Sequence, residues 1–338
     1  MKDFSKDNLV IIDADSLIYI IGYELSAMQL EPLGALKLDE FIKDILVATG
    51  SKHYLGYFGG KGGKNFRYDV AVTREYKGNR SKEKEEWFEF WEPILKERME
   101  TYWKFIPVLN MEADDAAAIA ANSLRGKYNK ITIASPDKDL FQIPDTWFYD
   151  YNKRITVFCD ETVAMHKLCA QLIQGDSSDN IPGCQGAGPK KASDFILEAI
   201  TNQWDNRDML DKVYDYYIEW YTVTLKEKAM AKQEKEYLTR YKEENGLTRF
   251  TKTLKDKALQ SFTFDPSNIL GKLAVKTLFK EQYQLLKLID NEEEGKKHGF
   301  KLTEPLTDTT VDWSSILIFH EELDNLPEEE DFDFQDDL

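Results

Sequence analysis

Hydrophobic residues in this chain gather in short runs that close on acids or glycines. Leu9–Ile12 runs into Asp13, Ala14 and Asp15, then Ser16 and a second apolar stretch, Leu17–Tyr23. That pattern predicts a buried strand followed by a helix with Asp15 or Ser16 near its N-cap. Tyr54–Phe58 predicts a second strand, ending in a loop of Gly59, Gly60, Lys61, Gly62 and Gly63. Ile131–Ala134 predicts a third, ending in Ser135, Pro136, Asp137, Lys138 and Asp139, and Trp147–Tyr149 is a candidate fourth. Between them, residues 86–105 and Glu112–Ala121 have helical composition. Strands alternating with helices predict an α/β fold, a mostly parallel sheet flanked by helices, with ligands at the carboxyl ends of the strands. From about residue 166 helical patterns dominate. Residues 226–260, rich in Lys and Glu, read as a solvated helical insertion, and apolar character returns around Ile316–Phe319. There is no internal repeat, and no apolar run reaches the ~18 residues of a membrane helix.

Charge first argues against a nucleic-acid partner. The 338 residues carry 44 Lys+Arg and 61 Asp+Glu, a net −17, whereas phosphate binding calls for a basic surface. The charge is segregated, however. Residues 321–338 hold ten acids and no base, which leaves −7 for the other 320 residues. Residues 61–84 hold eight basic residues against three acids, and in this strip Lys61, Lys64 and Arg67 are candidate DNA contacts. The three cysteines (Cys159, Cys169, Cys184) lack CxxC spacing and the four histidines are scattered, which points to a reducing, cytoplasmic compartment and away from zinc.

Four segments place carboxylates where a strand meets a loop or a helix begins: Asp13 and Asp15; Glu112, Asp114 and Asp115; Asp137 and Asp139; Asp176 and Asp179. Each alone has an ordinary explanation as a cap, a turn residue or a partner of the helix dipole. Together they describe a concentration of negative charge that hard divalent cations, magnesium or manganese, would relieve. Two such ions about 4 Å apart can activate water and stabilise the leaving oxygen in phosphodiester cleavage. Further on, Gly175-Asp-Ser-Ser-Asp-Asn-Ile-Pro-Gly183 leads into Cys184, Gln185, Gly186, Ala187, Gly188, Pro189, Lys190 and Lys191. Glycines here allow backbone N–H groups to approach a phosphate, Pro189 suits a first helical position, and the lysines add charge.

The motifs IIDAD, EYKGNR, EADDAAA, ASPDKDL and GDSSDNIPGCQGAGPKKA, in this order over residues 9–200, resemble the 5′-nuclease family of flap endonucleases, polymerase I-type 5′–3′ exonuclease domains and stand-alone phage 5′-exonucleases. The resemblance implies a PIN-like catalytic domain over 1–165 with an arch at about 74–105. It further implies a helical domain over 166–320 that binds duplex DNA through a helix–three-turn–helix; the low-complexity acidic composition of residues 321–338 separately predicts a disordered tail. The resemblance implies that Asp13, Glu112, Asp114 and Asp115 hold a first metal and that Asp137, Asp139, Asp176 and Asp179 form a second. Lys77 and Arg80 would contact the scissile phosphate. Gly183, Gly186, Gly188, Lys190 and Lys191 would grip the duplex backbone, with potassium as a further cofactor. The substrates implied are DNA 5′ ends, flaps and nicks, cleaved during replication or repair by a monomer with no membrane association, inside the host cytoplasm for a phage-encoded protein.

One position departs from the family. Members usually carry an aspartate after the second strand, where this chain has Gly59 and Gly60. Asp15 has two readings: a carboxylate that reaches the metal or a bound water, or a helix N-cap. The arch residues Trp87, Phe88, Phe90, Trp91, Tyr102 and Trp103 either stack a threaded strand or pack the arch helix, the latter expected for most. The acidic tail is a solubilising end, a nucleic-acid mimic or a docking segment for a replication protein. Two rival functions remain, a PIN-like ribonuclease and a catalytically weakened binder of branched DNA. The first lacks a reason for residues 175–191, and the second rests only on the missing aspartate.

Overall fold

The computed structural model describes residues 8–28, 33–60, 64–80, 84–266 and 270–311. They fall into two units, the first drawn from Met1–Leu168, Ser178–Asn180 and Leu286–Leu338, the second from Cys169–Ser177 and Ile181–Leu285. The first unit thus takes back the chain after Leu286, whereas the sequence assigned that stretch to the helical domain.

The first unit is built on a sheet in the order β3-β2-β1-β4-β5-β6. Its strands are β1 (Asn8–Asp13), β2 (His53–Gly59), β3 (Ile106–Val108), β4 (Lys130–Ala134), β5 (Thr146–Asp150) and β6 (Ile155–Cys159). All pair in parallel except β6, which returns antiparallel to β5, and β7 (Leu306–Thr307), which adds antiparallel to β2. β1 lies between β2 and β4, and every one of its residues is buried. A strand covered on both faces reads as an unbroken apolar run, which is why NLVIID carries no polar alternation.

The period of two distributes the strand side chains between two cores. Val10, Ile12, Tyr54, Phe58 and Ala134 face one side, against α1 (Asp15–Met28), α2 (Gly34–Thr49) and α4 (Glu86–Thr101). Leu9, Ile11, Leu55, Tyr57, Ile131 and Ile133 face the other, against α5 (Ala113–Leu124). α5 buries Ala113, Ala116, Ala117, Ala118, Ala120 and Ala121, and small side chains on every face let this helix lie close against the sheet. Leu288, Ile289 and Phe300 complete that core, next to α12 (Glu292–Lys297), after a short helix α3 (Arg67–Val70) earlier in the chain.

The second unit is helical. It contains the end of α6 (Glu161–Gln174), then α7 (Gly188–Thr201), α8 (Asn206–Glu219), α9 (Leu225–Glu244), α10 (Lys252–Leu259) and most of α11 (Lys272–Leu286). Tyr217 is its centre, buried, its hydroxyl donating to the Leu172 carbonyl and lying 3.1 Å from the Gln282 side-chain amide. α9 buries none of its residues, as a solvated insertion should. Among the described residues no helix is long and apolar enough to cross a membrane.

Gly56, in the middle of β2, is where Phe105 packs: a Cβ there would stand 2.3 Å from the ring. Gly56→Ala therefore displaces Phe105, and the expected cost is about 1–3 kcal/mol, read as a lower urea midpoint with an unchanged slope.

Candidate functional site

The carboxyl ends of β1 and β4 and the N-terminus of α5 bring acids to one edge of the sheet in the first unit. Asp13 ends β1 and is 3% exposed. Its Oδ2 accepts from Ser135 Oγ (2.9 Å), just past β4, and its Oδ1 accepts the Asp15 N–H (3.3 Å). Ser135 Oγ in turn accepts the Asp137 N–H (3.0 Å), and Asp137 Oδ1 caps the following 3-10 turn through the Asp139 N–H (2.8 Å). Burial, with Asp15 and Asp137 adding repulsion, pushes the Asp13 carboxyl up to about 7 despite the Ser135 bond. Asp114 is likewise held well above the ordinary carboxylate range, by burial first and then by Asp13, Asp137 and Glu112.

Glu112 is the N-cap residue of α5 and behaves oppositely. Burial would raise its pKa, but Arg67 and Lys77 outweigh that and hold it below the usual range. Its carboxylate meets Lys77 Nζ, accepts from Tyr76 Oη (2.9 Å) and lies 3.4 Å from Arg67.

Lys77 and Arg80 are brought there by a loop tied to residues 178–180. The Lys77 N–H donates to the Asp179 carbonyl (2.9 Å), Arg80 Nε to the Ser178 carbonyl (3.2 Å) and Asn180 Nδ2 to the Glu75 carbonyl (2.9 Å). Asp179 Oδ1 accepts from Arg80 (2.5 Å) and Oδ2 from Tyr76 Oη (2.7 Å). The Tyr76 hydroxyl thus lies within hydrogen-bonding distance of both Glu112 and Asp179, its single proton donated to one of them at a time. Lys77 holds φ of 56° to make the turn, a conformation sustained here by these fixed partners.

Two sequence assignments are corrected. Asp115 was expected among the metal ligands. Instead it is fully buried, with Oδ2 accepting Arg67 (2.6 Å) and the Glu112 N–H (3.2 Å), and Oδ1 accepting Arg67 (2.8 Å) and the Ile289 N–H (2.9 Å). Its oxygens are committed to framework. Arg67 was expected to contact DNA, yet it is 2% exposed and makes the other half of that pair. Of its companions, Lys64 is exposed, against the Tyr68 ring, and Lys61 lies outside the described residues, as do Lys82, Ile316–Phe319 and the acidic tail.

Asp13, Glu112, Asp114 and Asp137 form the electrostatically linked set at the strand ends. Asp139 pairs with Lys167 (3.0 Å) and Asp179 with Arg80. Among the described residues no three His, Cys, Asp or Glu side chains already stand at the spacing that holds an ion. What fits a magnesium or manganese ion is the donor chemistry: hard carboxylate oxygens whose mutual repulsion a divalent cation would relieve.

The sequence reading missed four residues. Tyr76 lies inside EYKGNR but its bridging hydroxyl depends on residues far along the chain. Lys96, on α4, donates to the Gly59 carbonyl (2.6 Å) at the end of β2. Tyr19 and Tyr23, exposed on α1, meet Trp87 edge-on. Of the arch aromatics, Phe88, Trp91 and Trp103 are buried, whereas Phe90 and Tyr102 are exposed.

In the second unit, the segment after α6 folds on itself. Asp176 and Ile181 exchange backbone bonds (2.9 and 2.7 Å), and Cys184 N–H donates to Ile173 (2.9 Å). Gly175 and Gly183 have positive φ, and a Cβ on either would enter the other's backbone. Gly186 and Gly188 also have positive φ but border open space, and α7 opens with Pro189 and no side-chain cap. Lys190 and Lys191 are exposed beside it.

The first unit is thus a mostly parallel α/β sheet with acids at its strand ends and a basic loop against them. Residues 8–168, just under half of the chain, match the family model described as 5′-3′ exonuclease, N-terminal resolvase-like domain. It is 28% identical over 162 residues to a 5′-3′ exonuclease of Buchnera aphidicola, covering 44% of this chain and 54% of that one. It is 33% identical over 129 residues to a 5′-3′ exonuclease of Aquifex aeolicus, covering 33% and 44% respectively. The chain thus spans no more than about half of these curated relatives. Its fold is similar to that of zinc-bound T5 5′-exonuclease, with a TM-score of 0.54 at 16% identity over 92% of this chain and 98% of that one. It is also similar to bacteriophage T5 flap endonuclease in a pseudo-enzyme–product complex with DNA and metal ions, with a TM-score of 0.52 at 17% identity over 93% and 99%.

Two outcomes follow. Arg67→Ala leaves the Asp115 charge buried without its partner, and the expected loss is about 3–5 kcal/mol, measured by denaturant unfolding. The second concerns pH. The folded chain keeps the Asp13 proton up to about 7, while the ordinary value is 3.8. Asp13 therefore favours the folded state most below the lower value and loses that contribution as pH rises to the upper one. Without cations, stability between about pH 4 and pH 7 declines more steeply in the wild type than in Asp13→Asn; equal slopes contradict the assignment.

Proposed function

We propose that the chain is a divalent-metal-dependent, structure-selective hydrolase of DNA phosphodiesters, a 5′–3′ exonuclease and flap endonuclease acting at 5′ ends, flaps and nicks in replication or repair, RNA primers included. The observation that carries this reading is the meeting of Lys77 with Glu112. A basic loop that would grip a phosphate is docked, by its own hydrogen bonds, on the carboxylates that would hold the cations. DNA bound to the T5 flap endonuclease and divalent metal bound to T5 5′-exonuclease support it by likeness of fold.

Asp13, Glu112, Asp114 and Asp137 would hold magnesium or manganese, with Asp139 and Asp179 contributing to a second ion. The ions, when bound, supply Lewis acidity and an activated water. The chain's own residues do the rest. Lys77 and Arg80 exchange their carboxylate partners for phosphate oxygens and stabilise the charge that develops there. Tyr76 holds Glu112 and Asp179 in register while they do so. Ser135 orients Asp13. In the helical unit, the open backbone at Gly186 and Gly188 and the uncapped start of α7, with Lys190, Lys191 and a potassium ion, would take duplex phosphates, Gly183 shaping the turn that presents them. A monomer suffices for this arrangement.

The test is cleavage of a 5′-labelled flap duplex by the full chain with magnesium. Lys77→Ala is expected to lower the turnover rate by about 10²–10³-fold, with a smaller change in KM. Asp114→Asn is expected to abolish cleavage while duplex binding survives. Wild-type binding without cleavage contradicts the reading, and cleavage confined to RNA replaces it by a ribonuclease.

A further inference from the structure

We propose that Asp15 is a carboxylate of the cation site, occupying at the end of β2 the place a side chain of residue 59 would otherwise take; this rests on the metal-dependent reading above. Asp15 is the first residue of α1, and it does not cap its own helix. The bond at that end is instead the Asp15 N–H donating to Asp13. Its carboxylate crosses to the neighbouring strand, where Oδ1 accepts the Gly59 N–H (2.8 Å).

Gly59 makes this possible by having no side chain. A Cβ built on it would lie 3.3 Å from Asp15 Oδ2 and 3.5 Å from Oδ1, so the carboxylate stands in the direction in which that side chain would extend. The opposite side of the same residue is held by Lys96, whose Nζ donates to the Gly59 carbonyl (2.6 Å) and pairs with Glu92 (2.9 Å). Gly59 is therefore gripped at both its N–H and its C=O, and Asp15 is oriented by strand backbone rather than by solvent. Asp13, Glu112 and Lys77 all lie within electrostatic range of it. Lys96 and Lys77 offset part of the repulsion from the neighbouring acids, and a charged acid held by strand backbone beside Asp13 is the arrangement expected of a metal-facing carboxylate. A mere loop tie would need only a neutral acceptor for the Gly59 N–H.

That difference supplies the test. Manganese binding to the full chain, without DNA, is measured by calorimetry for wild type, Asp15→Asn, Asp13→Asn and the swap Asp15→Ala/Gly59→Asp. Asn at position 15 keeps the acceptor for Gly59 and removes the charge. The expected result is a loss of about 10–100-fold in affinity for Asp15→Asn, with unfolding in chelator no easier than for wild type, and recovery of most of that affinity in the swap. Gly59 has an ordinary φ, so the backbone accepts the aspartate. The magnesium concentration needed for half-maximal flap cleavage should rise and recover in parallel. Wild-type manganese affinity in Asp15→Asn, or no recovery in the swap, overturns the proposal. If Asp13→Asn loses affinity while Asp15→Asn keeps it, the metal-dependent reading stands and only Asp15 is excluded. If the wild type itself binds no manganese, both are overturned.

Discussion

Arg67 and Asp115 pair inside the protein with almost no solvent, and the geometry of the site hangs on that pair. Two parallel N–H···O contacts fix a carboxylate and a guanidinium in one plane, here joining α3 to the first turn of α5. The remaining lone pairs of Asp115 take the N–H groups of Glu112 and Ile289, which fastens the returning chain after Leu286 to the same point. Glu112 is thereby presented from a helix N-terminus whose angle to the sheet cannot drift. Removing either partner would leave a buried charge, and desolvation makes that far costlier than the loss of one hydrogen bond.

Around this anchor the acids separate into two kinds. Glu112 and Asp179 are matched by basic groups on the 75–80 loop, and Tyr76 links them. Asp13 and Asp114 have no basic group among the charges that act on them most, and burial pushes both towards protonation, as it does Asp15 against Lys96 and Lys77 and Asp179 against Lys77 and Arg80. A fold stabilised only for its own sake would not keep such a group at the ends of its central strands. In the function proposed above, a cation would resolve that tension, and the matched pairs are those that a phosphate would exchange into. Metal and substrate would then use different residues of one surface.

Much of this was legible in sequence because β1, β2, β4 and β5 are short apolar runs that end on acids, glycines or turn residues. β3 and β7 have only three and two residues, and β6 is an edge strand with mostly exposed side chains, so no period marks them. Asp114 and Asp115 are adjacent and look alike in sequence. What divides them is an arginine 48 residues earlier, a fact of tertiary structure. Arg67 was misread for the complementary reason: a basic strip is an average, and one member of it is buried. The departure at Gly59 was visible as a missing acid, but that Asp15 reaches the same place depends on the pairing of β1 with β2, which spacing does not show.

The measurement that bears most directly on the whole account is the product length from a 5′-labelled flap duplex incubated with the full chain over a magnesium titration. The account predicts no cleavage in chelator and, with magnesium, short labelled products released at or near the 5′ single-strand–duplex junction. Labelled substrate left intact at every magnesium concentration, or cleavage that persists in chelator, would contradict it.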